Sequence, residues 1–334
     1  MNRACISAIE YYLPEKVLTN EDLSRDFPEW SADKILAKTG IACRHIAAPE
    51  ETSVDMAVKA AEKMFAKGKV KRAQVDFVIL CTQSPDYYLP TSACILQDRL
   101  GIPTRTGSFD MNLGCSGFIY GLALAKGLIE SGSAEAVLLI TADTYTKLLR
   151  PEDRSVRSIF SDAAAATLIS AEPGAREGKQ SIGPFSFGTD GSGAENLIVR
   201  SGGFRNPRSP AEGMPFLEMN GPAVFAFGLK RVPEAIMDLL QKCALSLSCV
   251  DLFIFHQASM FMLETLRERL QIPPERFFVN IALHGNTVSS TIPIAIYDAH
   301  AQGLVRPMST LLLVGFGVGL SWAAARVTLP ALLA

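Results

Sequence analysis

Residues 105–131 read RTGSFDMNLGCSGFIYGLALAKGLIES, and the reading of the fold starts at Cys115 in the middle of that stretch. Gly107 to Asn112 has the character of a short strand. Beyond the cysteine, Gly117, Tyr120, Gly121, Leu124, Ala125 and Leu128 recur at helical spacing. Cys115 therefore stands where a strand ends and an apolar, largely buried helix begins. A thiol in that position feels unpaired N–H groups and the positive end of the helix dipole, which favour the thiolate. Gly114 and Gly117 are expected to leave room for a substrate or a second backbone. A buried structural cysteine is an equal explanation on this stretch alone.

Outward from that unit, apolar strands alternate with helical patterns, as in an α/β protein whose sheets are covered on both faces. VDFVILC (75–81) precedes a helix at about 91–100; AVLLIT (136–141) and AAAATLIS (163–170) follow the cysteine unit. EPGAREGKQ (172–180) is polar and turn-rich, the expected boundary between halves, and 201–215 reads as a long Pro/Gly loop. A long helix near 221–247 leads to VDLFIFH (250–256). Residues 307–325 carry no charge over nearly a membrane thickness, but Gly315, Gly317 and Gly319 among Ser and Thr predict strand, Gly-rich turn, strand. That is a buried hairpin, not a span.

The composition narrows the function. With 334 residues, 48% of them hydrophobic, the chain can build one large or two ordinary domains. A net charge of −2 without a long basic run gives no reason to expect a nucleic-acid partner. Seven cysteines form no C-x-x-C pair, and the odd count argues against a disulfide framework. The opening MNRACISAIEYYLPE lacks the apolar core of a signal peptide. A reducing cytoplasm is the expected setting.

Part of the chain repeats. Asp76-Phe-Val-Ile-Leu and Asp251-Leu-Phe-Ile-Phe lie 175 residues apart, and AVLLIT at Ala136 matches TLLLVG at Thr310, 174 apart. Between them, Gly114-Cys115 and Gly285-Asn286, each read as opening a helix, lie 171 apart. Three units in one order at nearly one offset imply a duplicated α/β half, 1–175 and 176–334. A pseudo-twofold would then bring equivalent strand ends to one shared site, with Cys115 facing Asn286.

Other strand-end residues fit that site. His256 closes an apolar strand at its carboxyl end, where open α/β sheets place ligands, though a lone histidine there is often structural. Asn286, by itself, reads as an N-cap. Gly315 to Gly319 exposes backbone N–H groups that can donate to an oxyanion, and a tight hairpin explains them equally well. Together the residues fit one chemistry. The thiolate takes an acyl group as a new thioester, and His and Asn stabilise the enolate formed as a malonyl thioester loses CO2. That enolate attacks the acyl-cysteine while two backbone N–H groups hold the tetrahedral oxyanion. Neither metal nor redox cofactor is called for.

The chain resembles the β-ketoacyl-acyl-carrier-protein synthase III family of thiolase-fold condensing enzymes through KTGIACRHIA (38–47), GCSGFIYGL (114–122), PEDRS (151–155), GTDGSGAENL (188–197), MNGPAVFAF (219–227), HQAS (256–259), HGNT (284–287) and GFGVGLSW (315–322). The resemblance implies a thiolase-like fold, two α/β halves in a layered αβαβα core. It implies that Cys115 is acylated, that His256 and Asn286 serve decarboxylation, and that the backbone N–H groups of Cys115 and Val318 form the oxyanion hole. Implied substrates are thioesters of coenzyme A or of an acyl carrier protein, handled by a homodimer.

The departures fall around the donor. The adenine-stacking tryptophan of the family, four residues before the basic residue that is Lys38 here, is replaced by Lys34, with Trp30 a turn earlier. Arg154 resembles the other side of that clamp. Ser259 and Phe261 stand where the family has an asparagine and an arginine, and Ser161 to Ala166 replaces a G-D-G-A-G-A turn. Lys38, Arg154, Ser259 and Phe261 are the expected donor-binding positions. A second enzymatic reading passes the acyl group from Cys115 to an oxygen or nitrogen acceptor without condensation. The retained cysteine argues against a third reading, an inactive partner subunit.

Overall fold

A computed structural model of the protein describes residues 2–172, 182–207 and 215–329. The 175/176 division expected from the repeat falls outside the described residues, as do most of 172–180 and residues 208–214 of the long loop.

Two five-stranded sheets organise the chain. The first contains β1 (Arg3–Tyr12), β2 (Phe77–Cys81), β3 (Gly107–Met111), β4 (Ala136–Asp143) and β5 (Ala163–Glu172) in the order β1-β5-β4-β2-β3. The second contains β6 (Ile182–Thr189), β7 (Leu252–Phe255), β8 (Phe277–Phe278), β9 (Thr310–Gly317) and β10 (Ser321–Thr328) in the order β6-β10-β9-β7-β8. Adding five to each strand of the first order gives the second. The directions agree too. In both sheets the second strand pairs parallel with the third and fourth, and the remaining pairings are antiparallel. Helices follow the same rule: α1 (Ser53–Ala66), α2 (Ser92–Arg99) and α3 (Gly117–Glu130) are matched by α4 (Gly221–Cys243), α5 (Met260–Arg269) and α6 (Thr291–Ala301).

The repeat in sequence has a structural cause. Asp76 donates its N–H to Ala136 O at 2.9 Å, and its carboxylate accepts from Glu135 N–H at 2.8 Å. In the second half Asp251 donates to Thr310 O at 3.0 Å and accepts from Thr310 N–H at 2.7 Å. Each aspartate pins the start of the neighbouring parallel strand.

Burial on both faces explains the unbroken apolar runs. Ile79, Val137 and Leu139 of the first sheet face Leu252, Leu311 and Leu313 of the second, with Phe118 and Leu122 of α3 and Ile292 and Ile296 of α6 between them. Val78, Leu80 and Leu138 turn the other way, onto Val54 and Ala57 of α1 and Leu96 of α2. Phe253, Phe255 and Leu312 do the same onto Ile236 of α4 and Leu263 of α5. The result is five layers, helix, sheet, helix, sheet, helix. A residue such as Phe118 is wholly enclosed in the middle layer; its truncation to alanine would cost about 3–5 kcal/mol.

Among the described residues no helix is long and apolar enough to cross a membrane. The charge-free 307–325 stretch folds as the β9–β10 hairpin, with Gly315 and Gly317 inside β9 rather than in the turn as the sequence suggested. Asn286 does not open a helix either. It follows the single turn Ile281–His284 and precedes another at Val288–Ser290, five residues ahead of α6.

Candidate active site

Cys115 sits between β3 and α3, two residues before the helix begins. Strand β9 passes directly against it. A Cβ on Gly315 would stand 2.7 Å from Cys115 O, and one on Gly317 would stand 2.9 Å from Cys115 Sγ. Glycine is required there by close approach. The room expected beside Gly114 and Gly117 is already filled: added Cβ atoms would meet Gln83 Oε1 at 2.5 Å and Cys81 Sγ at 2.3 Å.

Two backbone N–H groups, those of Cys115 and Val318, face the sulfur and favour its ionised form. Burial outweighs them, with the Asp143 carboxylate adding to it, and the thiol is pushed up to about 12. The sequence-based expectation of a stabilised thiolate is thus overturned for the unloaded site. A helix terminus contributes on the order of 1 kcal/mol, whereas full burial can move a pKa by several units.

His256 follows β7, and its backbone N–H donates to Val314 O on β9 at 2.7 Å. Its Nδ1 lies 2.8 Å from Thr291 Oγ1, and the Thr291 hydroxyl itself donates to Val288 O at 3.0 Å. With that hydroxyl proton committed, the hydrogen-bond pattern assigns the ring proton to Nδ1 and a lone pair to Nε2. Burial holds the imidazole down at about 3, so it is neutral near pH 7.

Asn286 is clamped by its backbone. Its N–H donates to Ile159 O at 2.9 Å, and its carbonyl accepts from Ser161 N–H at 3.0 Å. The side-chain Oδ1 accepts from Val288 N–H at 3.0 Å, which leaves Nδ2 as the outward donor, 3.5 Å from Ala258 O. The side chain thus closes a turn onto the backbone two residues on, not the helix cap expected from the sequence, and still leaves an N–H available. Cys115, His256 and Asn286 line a single cavity of about 180 Å³ with Phe160, Leu197, Phe225, Ser259 and Phe316. Its largely apolar wall strengthens every charge–dipole interaction inside it.

The four expected donor-binding residues divide. Ser259 lines that cavity and caps α5, its hydroxyl accepting from Met262 N–H at 3.3 Å. Phe261 is 64% exposed and stacks on Phe225, ring centres 5.1 Å apart. Lys38 and Arg154 lie elsewhere, on either side of Trp30: Lys38 Nζ is 5.2 Å and the Arg154 guanidinium 4.8 Å from its ring. Arg154 is also paired with Glu29 at 2.6 Å. The displaced tryptophan therefore still meets the arginine. Gly40, two residues past Lys38, packs on Met260 at the start of α5, which brings this cluster beside Phe261.

Sequence reasoning missed Asp143, the last residue of β4. It is wholly buried, accepting from Gln83 N–H at 2.7 Å and from the Ser289 hydroxyl at 2.8 Å, and burial pushes it up to about 7. The signal was present: a lone acid at the carboxyl end of an otherwise apolar strand. It joins the loop after β2 to the turn that follows Asn286.

Two family models match the chain, 3-oxoacyl-[acyl-carrier-protein (ACP)] synthase III over residues 109–191 and its C-terminal counterpart over 240–329. A β-ketoacyl-[acyl-carrier-protein] synthase III 3 of Streptomyces coelicolor is 38% identical over 342 residues, covering 99% of each chain. A β-ketoacyl-[acyl-carrier-protein] synthase III of Caldanaerobacter subterraneus subsp. tengcongensis is 35% identical over 315 residues, 93% of each. A solved 3-oxoacyl-(acyl-carrier-protein) synthase III matches with TM-score 0.94 and 53% identity, covering 98% of this chain and 99% of that one. Likeness of that extent, end to end in sequence and in layer order, makes the chain a member of the β-ketoacyl-[acyl-carrier-protein] synthase III family, with its thiolase-like fold.

Proposed function

We propose that the protein is a condensing acyltransferase. It loads an acyl group from a thioester onto Cys115 and joins it, with loss of CO2, to a malonyl thioester. The observation that carries this reading is the convergence of Cys115, His256 and Asn286 on one apolar cavity, with two backbone N–H groups facing the sulfur.

In the first half-reaction the Cys115 proton passes to His256 Nε2, the nitrogen left bare by its Nδ1 contacts. The thiolate adds to the donor carbonyl, whose oxyanion takes hydrogen bonds from Cys115 N–H and Val318 N–H. The donor's C–S bond breaks, and its thiolate leaves with the proton held at His256 Nε2, which returns the imidazole to its neutral form. In the second half-reaction the malonyl thioester oxygen faces Asn286 Nδ2–H and the neutral His256 in its other tautomer, with Nε2–H donating to the oxygen and Nδ1 accepting from the Thr291 hydroxyl. The carboxylate leaves as CO2, its electron pair forming the enolate that these two donors stabilise. The α-carbon attacks the acyl-cysteine, the tetrahedral intermediate collapses, and Cys115 leaves as thiolate and is reprotonated from solvent. Fixed donors carry all the developing charge, so the chemistry calls for neither metal nor redox group.

The donor and acceptor are coenzyme A or carrier-protein thioesters, supported by the resemblance at Lys38 and Arg154. Seven free thiols fit a reducing, cytoplasmic setting. A homodimer is supported by exposed apolar side chains, among which Leu89 is 86% and Phe204 90% accessible, with the Tyr88 ring tilted against that of Phe204, centres 5.7 Å apart. Sedimentation as a monomer at all concentrations would remove that assembly. The test of the function is intact mass after incubation with acyl-coenzyme A, then a chase with malonyl-carrier protein. A Cys115 adduct that disappears with release of CO2 is expected; an adduct that transfers only to an alcohol or amine would replace condensation with simple acyl transfer.

A further inference from the structure

A polar network around Asp298 of α6 has no part in the chemistry just described. Asp298 Oδ2 accepts from His284 Nε2 at 2.7 Å and from Asn280 Nδ2 at 2.9 Å, while Oδ1 accepts from the Tyr11 hydroxyl of β1 at 3.2 Å. Burial works to raise this carboxyl, but the bonds to His284, Asn280 and Tyr11 overcome it and hold the group below the usual carboxylate range. The other nitrogen of His284, Nδ1, is buried without a hydrogen-bond partner, so the polar anchorage of that ring rests on Asp298.

Both arms of the network end at the reacting pair. His284 is two residues from Asn286, across Gly285 with φ +65°, where an added Cβ would stand 3.0 Å from Ser161 Cβ. Asn280 donates its backbone N–H to Gln257 Oε1 at 3.1 Å, and Gln257 is the neighbour of His256, its Nε2 bonded to Phe255 O at 2.7 Å. Helix α6 closes the frame. Thr291 holds His256 Nδ1, and Asp298, seven residues on, lies on the same face about 10 Å further along the axis.

We propose that Asp298 is a positioning residue that fixes the spacing of His256 and Asn286, through His284 on one arm and Asn280–Gln257 on the other. The proposal rests on the condensing function above, because only decarboxylation needs both donors on one oxygen. Cys115 itself is held independently, by the close passage of β9, so acylation depends on this network only through His256, whereas CO2 release depends on it through both donors.

The test uses full-length protein, with acyl-coenzyme A for adduct formation by intact mass and malonyl-coenzyme A for release of labelled CO2. Asp298→Ala is expected to lower kcat for CO2 release by about 10- to 100-fold, the scale of a sub-ångström to ångström misplacement, with KM unchanged and acylation slowed several-fold less than CO2 release. Asp298→Asn keeps one oxygen acceptor and should recover a large part of that loss. Should Asp298→Ala not fold, His284→Ala removes the same arm and should give the same split. Equal losses in acylation and CO2 release, following a lowered Tm, would assign a purely structural role and overturn the proposal. Unchanged CO2 release in both variants would overturn it while leaving the condensing function intact. A wild type that releases no CO2 would overturn both.

Discussion

The two halves share strand order, direction and register, yet they furnish opposite chemistry at the same places. The 175-residue offset that aligns Asp76 with Asp251 also aligns Cys81, at the end of β2, with His256, after β7. The loops after β3 and β8 then hold Cys115 and Asn286. Cys81 is wholly buried, donates its thiol to Leu113 O at 3.1 Å, and is driven well up by burial; it is inert packing. On the proposed function the first half thus supplies the nucleophile, the second half the donors. They are also held differently: Cys115 by a steric fit to the backbone of β9, His256 and Asn286 by hydrogen bonds of both backbone and side chain. A duplicated scaffold offers paired strand ends, and the chemistry comes from treating the pair unequally.

That asymmetry predicts which substitutions break which half-reaction. Cys115→Ser should abolish acylation with little loss of stability, since sulfur and oxygen differ little in shape. Intact mass and peptide mapping check this; an active variant with the adduct on Cys94 or Cys243 would relocate the nucleophile. Gly317→Ala comes next. Its methyl would have to fit 2.9 Å from Cys115 Sγ, and a displacement of that order should slow acylation by about 100-fold, read by adduct formation over time.

The scaffold was more legible in the sequence than the fine placement of the site. Unbroken runs such as VDFVILC and AVLLIT imply sheets buried on both faces, and the Asp76/Asp251 repeat implies the duplication, because each feature is the direct chemical trace of a packing or pairing need. Cys115, His256 and Asn286 were legible as strand-end polar residues. The thiol's ionisation was not, since burial depends on what packs around residue 115 and not on its neighbours in sequence. Gly315 and Gly317 were read as turn residues because glycine at a close approach and glycine in a turn look alike in sequence. Asp298 and His284 lie in motifs without any spacing that announces their contact.

Two smaller effects sharpen the contrast. Phe261→Arg exchanges an exposed aromatic stack on Phe225 for a cation beside the Trp30 cluster. It should raise kcat/KM for carrier-protein substrates by ~3- to 30-fold, the worth of one charge-assisted hydrogen bond. No gain would mean that this rim takes a different donor. The smallest effect concerns Asp143, whose ionised form opposes ionisation of Cys115. Asp143→Asn should move the alkylation profile of Cys115 to lower pH by roughly half a unit. The difference should fade below about pH 7, where Asp143 in the wild type is already protonated. Stability follows the same sign: a buried acid raised from its ordinary value to about 7 contributes fully below pH 3.8 and loses that contribution as pH rises through 7. The variant should therefore gain Tm relative to wild type at pH 8 more than at pH 5.

The division of labour between the halves is tested most directly by measuring both partial reactions on Asn286→Ala and His256→Ala beside the wild type. Removing one donor to a developing oxyanion costs ~10²–10³ in rate. Asn286→Ala should accept an acyl group from acyl-coenzyme A at the wild-type rate, yet release CO2 from a malonyl thioester at least ~100-fold more slowly. His256→Ala should show the same loss of CO2 release together with slower acylation at neutral pH, because the base for the Cys115 proton is gone. A wild type that never releases CO2 from any malonyl donor, with both variants still delivering acyl groups to an alcohol or amine, would contradict the account.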